Sequence, residues 1–158
     1  MDYNEYFRKM GCDYWYEFDL SYSRLSVEDR SITIVGNDCG SSAVYFLMRG
    51  AKHVIGFEKK AELNNKFRSE VCKHFNICDR VEVNLGWAGK DYPKTDLFVI
   101  DCEGCEAFLD IQELGKYKQY CVAIHNWTVN KYQLMKQLYG TTLTYVSNDN
   151  NEIVLCKL

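Results

Sequence analysis

Residues 32–59 read ITIVGNDCGSSAVYFLMRGAKHVIGFEK, and this stretch decides the fold. Ile32–Val35 is a short run rich in β-branched residues, closed by Gly36, and Val54–Phe57 is a second apolar run, ended by Glu58. Between them, Ser41–Arg49 carries Ala43, Phe46 and Leu47 and stops before Gly50. Glycine is favoured just past a helix end because it accepts the left-handed backbone found there. Strand, helix and strand in so few residues predict a crossover between two parallel strands.

The alternation continues outward. Val81–Val83, Leu97–Ile100 and Cys121–Ile124 are further short strands. The last two are wholly apolar, as strands buried on both faces are. From Ala61 to Phe75 the residues Leu63, Phe67, Val71 and Phe75 recur every four positions and form one stripe on a helix. Glu106–Leu114 and Asn130–Tyr139 complete the helices. Leu143–Val146 and Ile153–Cys156 are joined only by the polar stretch Ser147–Glu152, too short for a crossover, so they form an antiparallel hairpin. The prediction is an α/β fold, a mainly parallel sheet with helices on both faces.

The 158 residues fit one domain. Residues 31–158 hold the alternating core. Residues 1–30 differ, with Tyr3, Tyr6, Phe7, Tyr14, Trp15, Tyr16, Phe18 and Tyr22 crowded together. They read as a segment packed on the sheet, as a lid over the site, or as both. Hydrophobic residues make up 47% and charged residues 26%, which excludes a disordered chain or a fibre. No apolar run approaches the ~20 residues of a membrane span. The opening MDYNEYFRKM carries acids and lacks the features of a signal or transit peptide, so a cytoplasmic protein is expected. A net charge of −3 argues against duplex nucleic acid as a partner, because such binding relies on Lys and Arg neutralising phosphates. The eight cysteines lie mostly in apolar runs. Buried reduced thiols are favoured over structural disulfides, although intracellular proteins of hyperthermophiles are a disulfide-rich exception.

In open α/β sheets, ligands bind beyond the carboxyl ends of the strands. Gly36-Asn37-Asp38-Cys39-Gly40-Ser41-Ser42 follows the first strand, and Glu58 the second. Asp101-Cys102-Glu103-Gly104-Cys105-Glu106 follows the fourth, and His125-Asn126-Trp127 the fifth. Two glycines permit a tight turn whose backbone comes close to a ligand. The acid 18 residues after Gly40 is placed to accept from both ribose hydroxyls. Together they point to a cofactor containing a nucleoside. The spacing lacks the G-x-G-x-x-G that admits a pyrophosphate, so a nicotinamide-dependent oxidoreductase is the weaker alternative. Asp101 and Glu103 add negative charge beside the turn, which suits a sulfonium cation.

These residues resemble the FkbM-like, S-adenosylmethionine-dependent methyltransferases. Gly50-Ala51 and Phe57-Glu58 match that family's pattern. Leu63–Asn65 is similar to its Leu-x-x-Asn region, LFVIDCEGCE (Leu97–Glu106) to its Ile-Asp-x-Glu-Gly-x-Glu element, and Ala123-Ile124-His125 to its strand ending in His. The short length and cysteine content also resemble proteins of archaeal viruses. The resemblance implies a single Rossmann-like methyltransferase domain with a seven-stranded sheet in the order 3-2-1-4-5-7-6, strand 7 antiparallel. It implies S-adenosyl-L-methionine as cofactor, held by Gly36, Asn37, Asp38, Gly40, Glu58, Lys59, Trp87 and Asp101. Glu103, His125 and Asp101 are the candidate catalytic residues, Glu103 or His125 as general base; Glu103 reads alternatively as a cap on the following helix. The expected reaction is O-methylation of a small-molecule or glycan hydroxyl. A homo-oligomer is left open. Cys102-x-x-Cys105 has no second cysteine pair at ligand spacing, so no metal is expected. One departure stands out. Ile34 occupies the place of the family's usual acid two residues before the first glycine, with Asp38 as a substitute. Ile34 motivates a third reading, a cofactor-binding or structural protein without catalysis.

Overall fold

The computed structural model describes residues 2–12 and 16–158. The expected aromatics Tyr14 and Trp15 lie outside them. Two short helices, α1 (Tyr3–Lys9) and α2 (Glu17–Tyr22), precede β1 (Ser31–Val35), α3 (Ser41–Met48) and β2 (His53–Glu58). Then come α4 (Ala61–Lys66), a π-helical turn (Phe67–Val71), α5 (Cys72–His74), β3 (Val81–Leu85) and β4 (Leu97–Ile100). A 3-10 turn (Cys105–Phe108), α6 (Ile111–Leu114), β5 (Gln119–His125), α7 (Lys131–Gln137), β6 (Thr142–Val146) and β7 (Glu152–Lys157) complete the chain.

The strands form one seven-stranded sheet in the order β3-β2-β1-β4-β5-β7-β6. β1 pairs in parallel with β2 and β4, and β7 runs antiparallel between β5 and β6. Each face of the sheet buries its own core. Phe7, Phe46, Phe67 and Val71 pack with Ile32 and Ile34 on one side. Phe98, Ile100, Leu114, Leu134 and Leu138 fill the other. Phe67 and Val71 are the buried part of the predicted four-residue stripe, with Leu63 and Phe75 at its margins. The fold is the one the sequence predicted, doubly wound with helices on both faces.

Two expectations are corrected. Glu106–Leu114 is not one helix. Leu109 takes an extended backbone, and Asp110 then caps α6 by accepting from the amides of Gln112 and Glu113, the competition with helix that Asp side chains offer. The cysteines are not free thiols. All eight pair as Cys12–Cys39, Cys72–Cys78, Cys102–Cys105 and Cys121–Cys156. Cys121 and Cys156 face each other across the β5–β7 ladder. Burial in apolar runs was compatible with either state; Cys12–Cys39 and Cys121–Cys156 meet only through the fold, while Cys72–Cys78 and Cys102–Cys105 are six and three residues apart. Among the described residues, no helix is long and apolar enough to cross a membrane.

Candidate functional site

A cleft of about 490 Å³ opens over the carboxyl ends of β1, β2 and β4. Its walls include Gly36 and Asp38 from the turn after β1, Glu58 and Lys59 at the end of β2, Trp87 after β3, and Asp101 and Glu103 after β4. Phe18 and Tyr22 of α2 close one side, so the N-terminal segment packs on the core and also walls the cleft.

The turn needs its glycines for packing as well as for any ligand. Gly36 has φ +90°, and a Cβ there would stand 1.7 Å from the carbonyl oxygen of Asp101. Only glycine lets the ends of β1 and β4 approach so closely. Gly40, also at positive φ, would drive a Cβ into the Phe67 ring at 2.3 Å; it does not line the cleft. Nor does Asn37. Its side chain is wholly buried, accepts from the Ser42 hydroxyl at 3.4 Å, and sits against Gly56. Its expected cofactor contact is therefore absent from the cleft walls.

Glu58 is buried at the tip of β2, and both its oxygens are engaged. Oε2 accepts from the Asp38 amide and Oε1 from the Lys60 amide, each at 3.0 Å. Two amides fix the carboxylate in one rotamer and leave its remaining lone pairs to the cleft.

At the other end of the cleft, acids converge on His125. Its Nδ1 lies 2.9 Å from Oε1 of Glu106, which is fully buried. Glu106 also accepts from the His125 and Gly104 amides and from the Thr128 hydroxyl. Burial alone would raise the Glu106 pKa, but these hydrogen bonds hold it down to about 2. No side chain caps the turn that follows Gly104, so the reading of Glu103 as a cap does not hold; Glu106, inside the turn, reaches back to the Gly104 amide, a role that sequence reasoning missed. His125 Nε2 faces Asp101 Oδ1 at 3.5 Å, Glu152 Oε2 at 3.6 Å and Glu103 Oε1 at 3.7 Å. Burial would lower the His125 pKa, yet the carboxylates of Glu106, Glu152 and Asp101 outweigh it and raise it to about 10. Burial and the charge of Glu152 push the Asp101 pKa up, against the pull of His125. The Tyr22 hydroxyl donates to Asp101 Oδ2 at 3.2 Å.

His125 was expected as a base facing the acceptor. Its side chain is 2% exposed and does not line the cleft, whereas Glu103 is 62% exposed and does. The His sits behind the acids, with Trp127 stacked on its ring at 5.1 Å. Glu152 also escaped sequence reasoning. It lies far along the chain, and only the β5–β7 register sets it opposite His125.

No family model matches the chain. Solved structures share its fold at low identity. The putative tRNA (m1A22) methyltransferase Sp1610 of Streptococcus pneumoniae is 15% identical, covers 90% of this chain and 68% of its own, with a TM-score of 0.70. An rRNA methylase from Streptococcus thermophilus is 14% identical, with 82% and 87% covered and a TM-score of 0.60. Aeropyrum pernix fibrillarin, solved with natively bound S-adenosyl-L-methionine, is 14% identical, with 85% and 69% covered and a TM-score of 0.60. These neighbours overturn one expectation, a small-molecule or glycan acceptor with duplex nucleic acid set aside. The same architecture serves RNA methyltransferases, so a modest net negative charge does not exclude that class of partner. In sequence, protein 158B of Sulfolobus islandicus rod-shaped virus 1 is 57% identical over the whole of both chains. Protein 65 of Sulfolobus islandicus filamentous virus (isolate Iceland/Hveragerdi) is 52% identical, with 97% of this chain and 96% of that one covered. At such identity over nearly full length, the chain belongs to the same family as these two proteins of viruses of Sulfolobus.

Proposed function

We propose that the protein is an S-adenosylmethionine-dependent methyltransferase acting on a hydroxyl oxygen. One observation carries this reading: a single cleft is lined by Gly36, Asp38, the amide-locked Glu58, Trp87 and Asp101. The residues fit the cofactor. Gly36 brings bare backbone to the cleft wall, the Glu58 carboxylate is held as an acceptor for ribose hydroxyls, and Trp87 offers a ring on the same wall. The volume lies within the ~300–1,000 Å³ usual for small-molecule sites. Ile34, in place of the usual acid, is itself a cleft-wall residue, and Asp38 supplies the nearby negative charge.

When bound, the cofactor supplies an electrophilic methyl group on a sulfonium. The chain's own residues align the acceptor and take its proton, the main contributions that such a displacement needs. Glu103, exposed on the cleft wall, is the candidate proton acceptor. Asp101 faces the same end, with His125 behind both acids. The exposed rings of Phe108 and Trp127 stand at this end and suit a flat acceptor group. The LFVIDCEGCE stretch supports the narrower FkbM-like kinship. A viral enzyme using host cofactor would work in the host cytoplasm.

Thermal shift tests the cofactor. A ligand at 100 times its Kd stabilises by ~2.7 kcal/mol. S-adenosylmethionine or S-adenosylhomocysteine should raise Tm and NAD should not; the opposite pattern overturns the reading. Transfer of labelled methyl is then assayed on host RNA.

A further inference from the structure

His125 Nε2 has no hydrogen-bond partner, although its side chain is 2% exposed. A buried polar atom left so is costly and calls for an explanation. The three carboxylate oxygens around it stand at 3.5, 3.6 and 3.7 Å, too far for good hydrogen bonds. They are, however, at the spacing of atoms that share one ion. Ligands about 2.1 Å from a tetrahedral cation lie about 3.4 Å from one another. Nε2 and one oxygen each of Asp101 and Glu152 all fall within 4.8 Å of each other.

We infer that Asp101, His125 and Glu152 bind a divalent transition-metal cation at the acceptor end of the cleft.

The surroundings are built for this. Nδ1 of His125 is committed to the buried Glu106, so a cation takes Nε2, the nitrogen that faces the acids, and its binding releases that nitrogen's proton to solvent. A carboxylate behind a histidine is the usual support of a metal-binding imidazole. Glu106 is itself fixed by two amides and the Thr128 hydroxyl. Tyr22 takes the outer oxygen of Asp101 and leaves the inner one toward Nε2. Among the described residues, no Lys or Arg forms a salt bridge with Asp101, Glu103 or Glu152. The three ligands come from rigid positions, the end of β4, the end of β5 and the start of β7. One N and two O donors suit Mn²⁺ or Zn²⁺. The nearby Cys102 and Cys105 are joined in a disulfide and supply no thiolate. Cysteine spacing gave no hint of such a site, since no ligand is a cysteine.

Three protein ligands leave the fourth position of a tetrahedral cation free, as in catalytic rather than structural sites, and Asp101 is the ligand that lies on the cleft wall. In the methyltransferase reading, on which this role rests, that position takes the acceptor oxygen. Its O–H bond then breaks with the proton passing to Glu103. The new O–C bond forms as the S–C bond breaks, and that electron pair stays on sulfur. Cation binding itself does not depend on this reading.

The full chain, stripped with chelator, is titrated with Mn²⁺ and separately with Zn²⁺ by calorimetry. One equivalent should bind, and Glu152→Gln should weaken binding at least ~10-fold, while Glu82→Gln on exposed β3 should not. Should Glu152→Gln fail to fold, the wild type decides. One equivalent of Mn²⁺ should broaden the Trp127 indole resonance, because that ring stacks on His125. Absence of stoichiometric binding of either ion below ~1 mM, or binding that leaves both the Trp127 signal and the Glu152→Gln affinity unchanged, overturns the site. S-adenosylhomocysteine binding in chelator without any metal binding would keep the methyltransferase reading and sink this one. Metal binding without cofactor binding would do the reverse.

Discussion

The backbone amide of Asp38 donates to Oε2 of Glu58 at 3.0 Å and so ties the glycine turn after β1 to the tip of β2. Glu58 thus has two tasks, holding the turn and facing the cleft. Glu58→Ala should weaken S-adenosylhomocysteine binding by roughly 1.5–3 kcal/mol, the range for hydrogen bonds to a charged group. It should also lower stability, since the Asp38 and Lys60 amides lose their acceptor. Glu58→Gln keeps one acceptor oxygen and should fall between. Calorimetry beside chemical denaturation separates the two effects; unchanged affinity would leave Glu58 with the structural task alone.

Gly36→Ala should be among the most damaging single substitutions. The new Cβ would overlap the Asp101 carbonyl oxygen, in a backbone conformation that alanine disfavours. Strain of the backbone alone costs on the order of 1–3 kcal/mol, and the steric overlap adds to it. Denaturant unfolding should show a loss above ~2 kcal/mol. A near-neutral result would mean that β1 and β4 can part at this point.

Cys121 and Cys156 are bonded across 35 residues of chain. Closing a loop of that size is worth about 3–4 kcal/mol in the chain-entropy account. Cys121→Ser with Cys156→Ser should therefore lower Tm by roughly 6–16 °C for a protein of this size. Alkylation of the unreduced, unfolded wild type, followed by mass spectrometry, should find no free thiol. Modified cysteines in that sample would refute the pairing.

Asp96 anchors the start of β4 to its neighbours. Lys118 Nζ reaches it at 2.6 Å, and the Ser31 amide and hydroxyl donate at 3.1 and 3.0 Å. The Lys118 hydrogen bond first, then those from Ser31, hold its pKa down to about 2. A carboxylate depressed on folding stabilises above its unfolded pKa, and that stability is lost as pH falls through the folded value. After allowance for solvent around Lys118, the contribution is about 1 kcal/mol. Asp96→Asn should be less stable than wild type by that amount at pH 7, with the gap closing between pH 4 and 2. A gap that persists at pH 2 would assign the loss to packing.

Much of this was legible in the sequence, and for a physical reason. The central strands announced themselves by local apolar runs, the edge strand at Val81–Val83 only by a short alternation, and Gly36, Asp38, Glu58 and Asp101 stand where any doubly wound sheet puts its ligand groups. The cleft walls include all four. Relationships that depend on distant segments meeting were not legible. Glu106 reads as a helix acid until β5 brings His125 to it. Glu152 reads as a hairpin residue until the β5–β7 register is known. Cysteine state failed for the same reason at Cys12–Cys39 and Cys121–Cys156, which join distant segments, whereas Cys72–Cys78 and Cys102–Cys105 are local pairs that apolar surroundings made look like free thiols. The inward side chain of Asn37 was not legible for a different reason, since a turn residue can face inward as easily as out.

The Cys12–Cys39 bond has a consequence for the chain as a polymer. It closes a covalent ring from α1, through α2 and β1, to the glycine turn. A protease that cuts once anywhere within residues 13–38 leaves two fragments still joined. Phe18 and Tyr22 then stay tethered beside the cleft, and a nicked molecule migrates at full length until it is reduced.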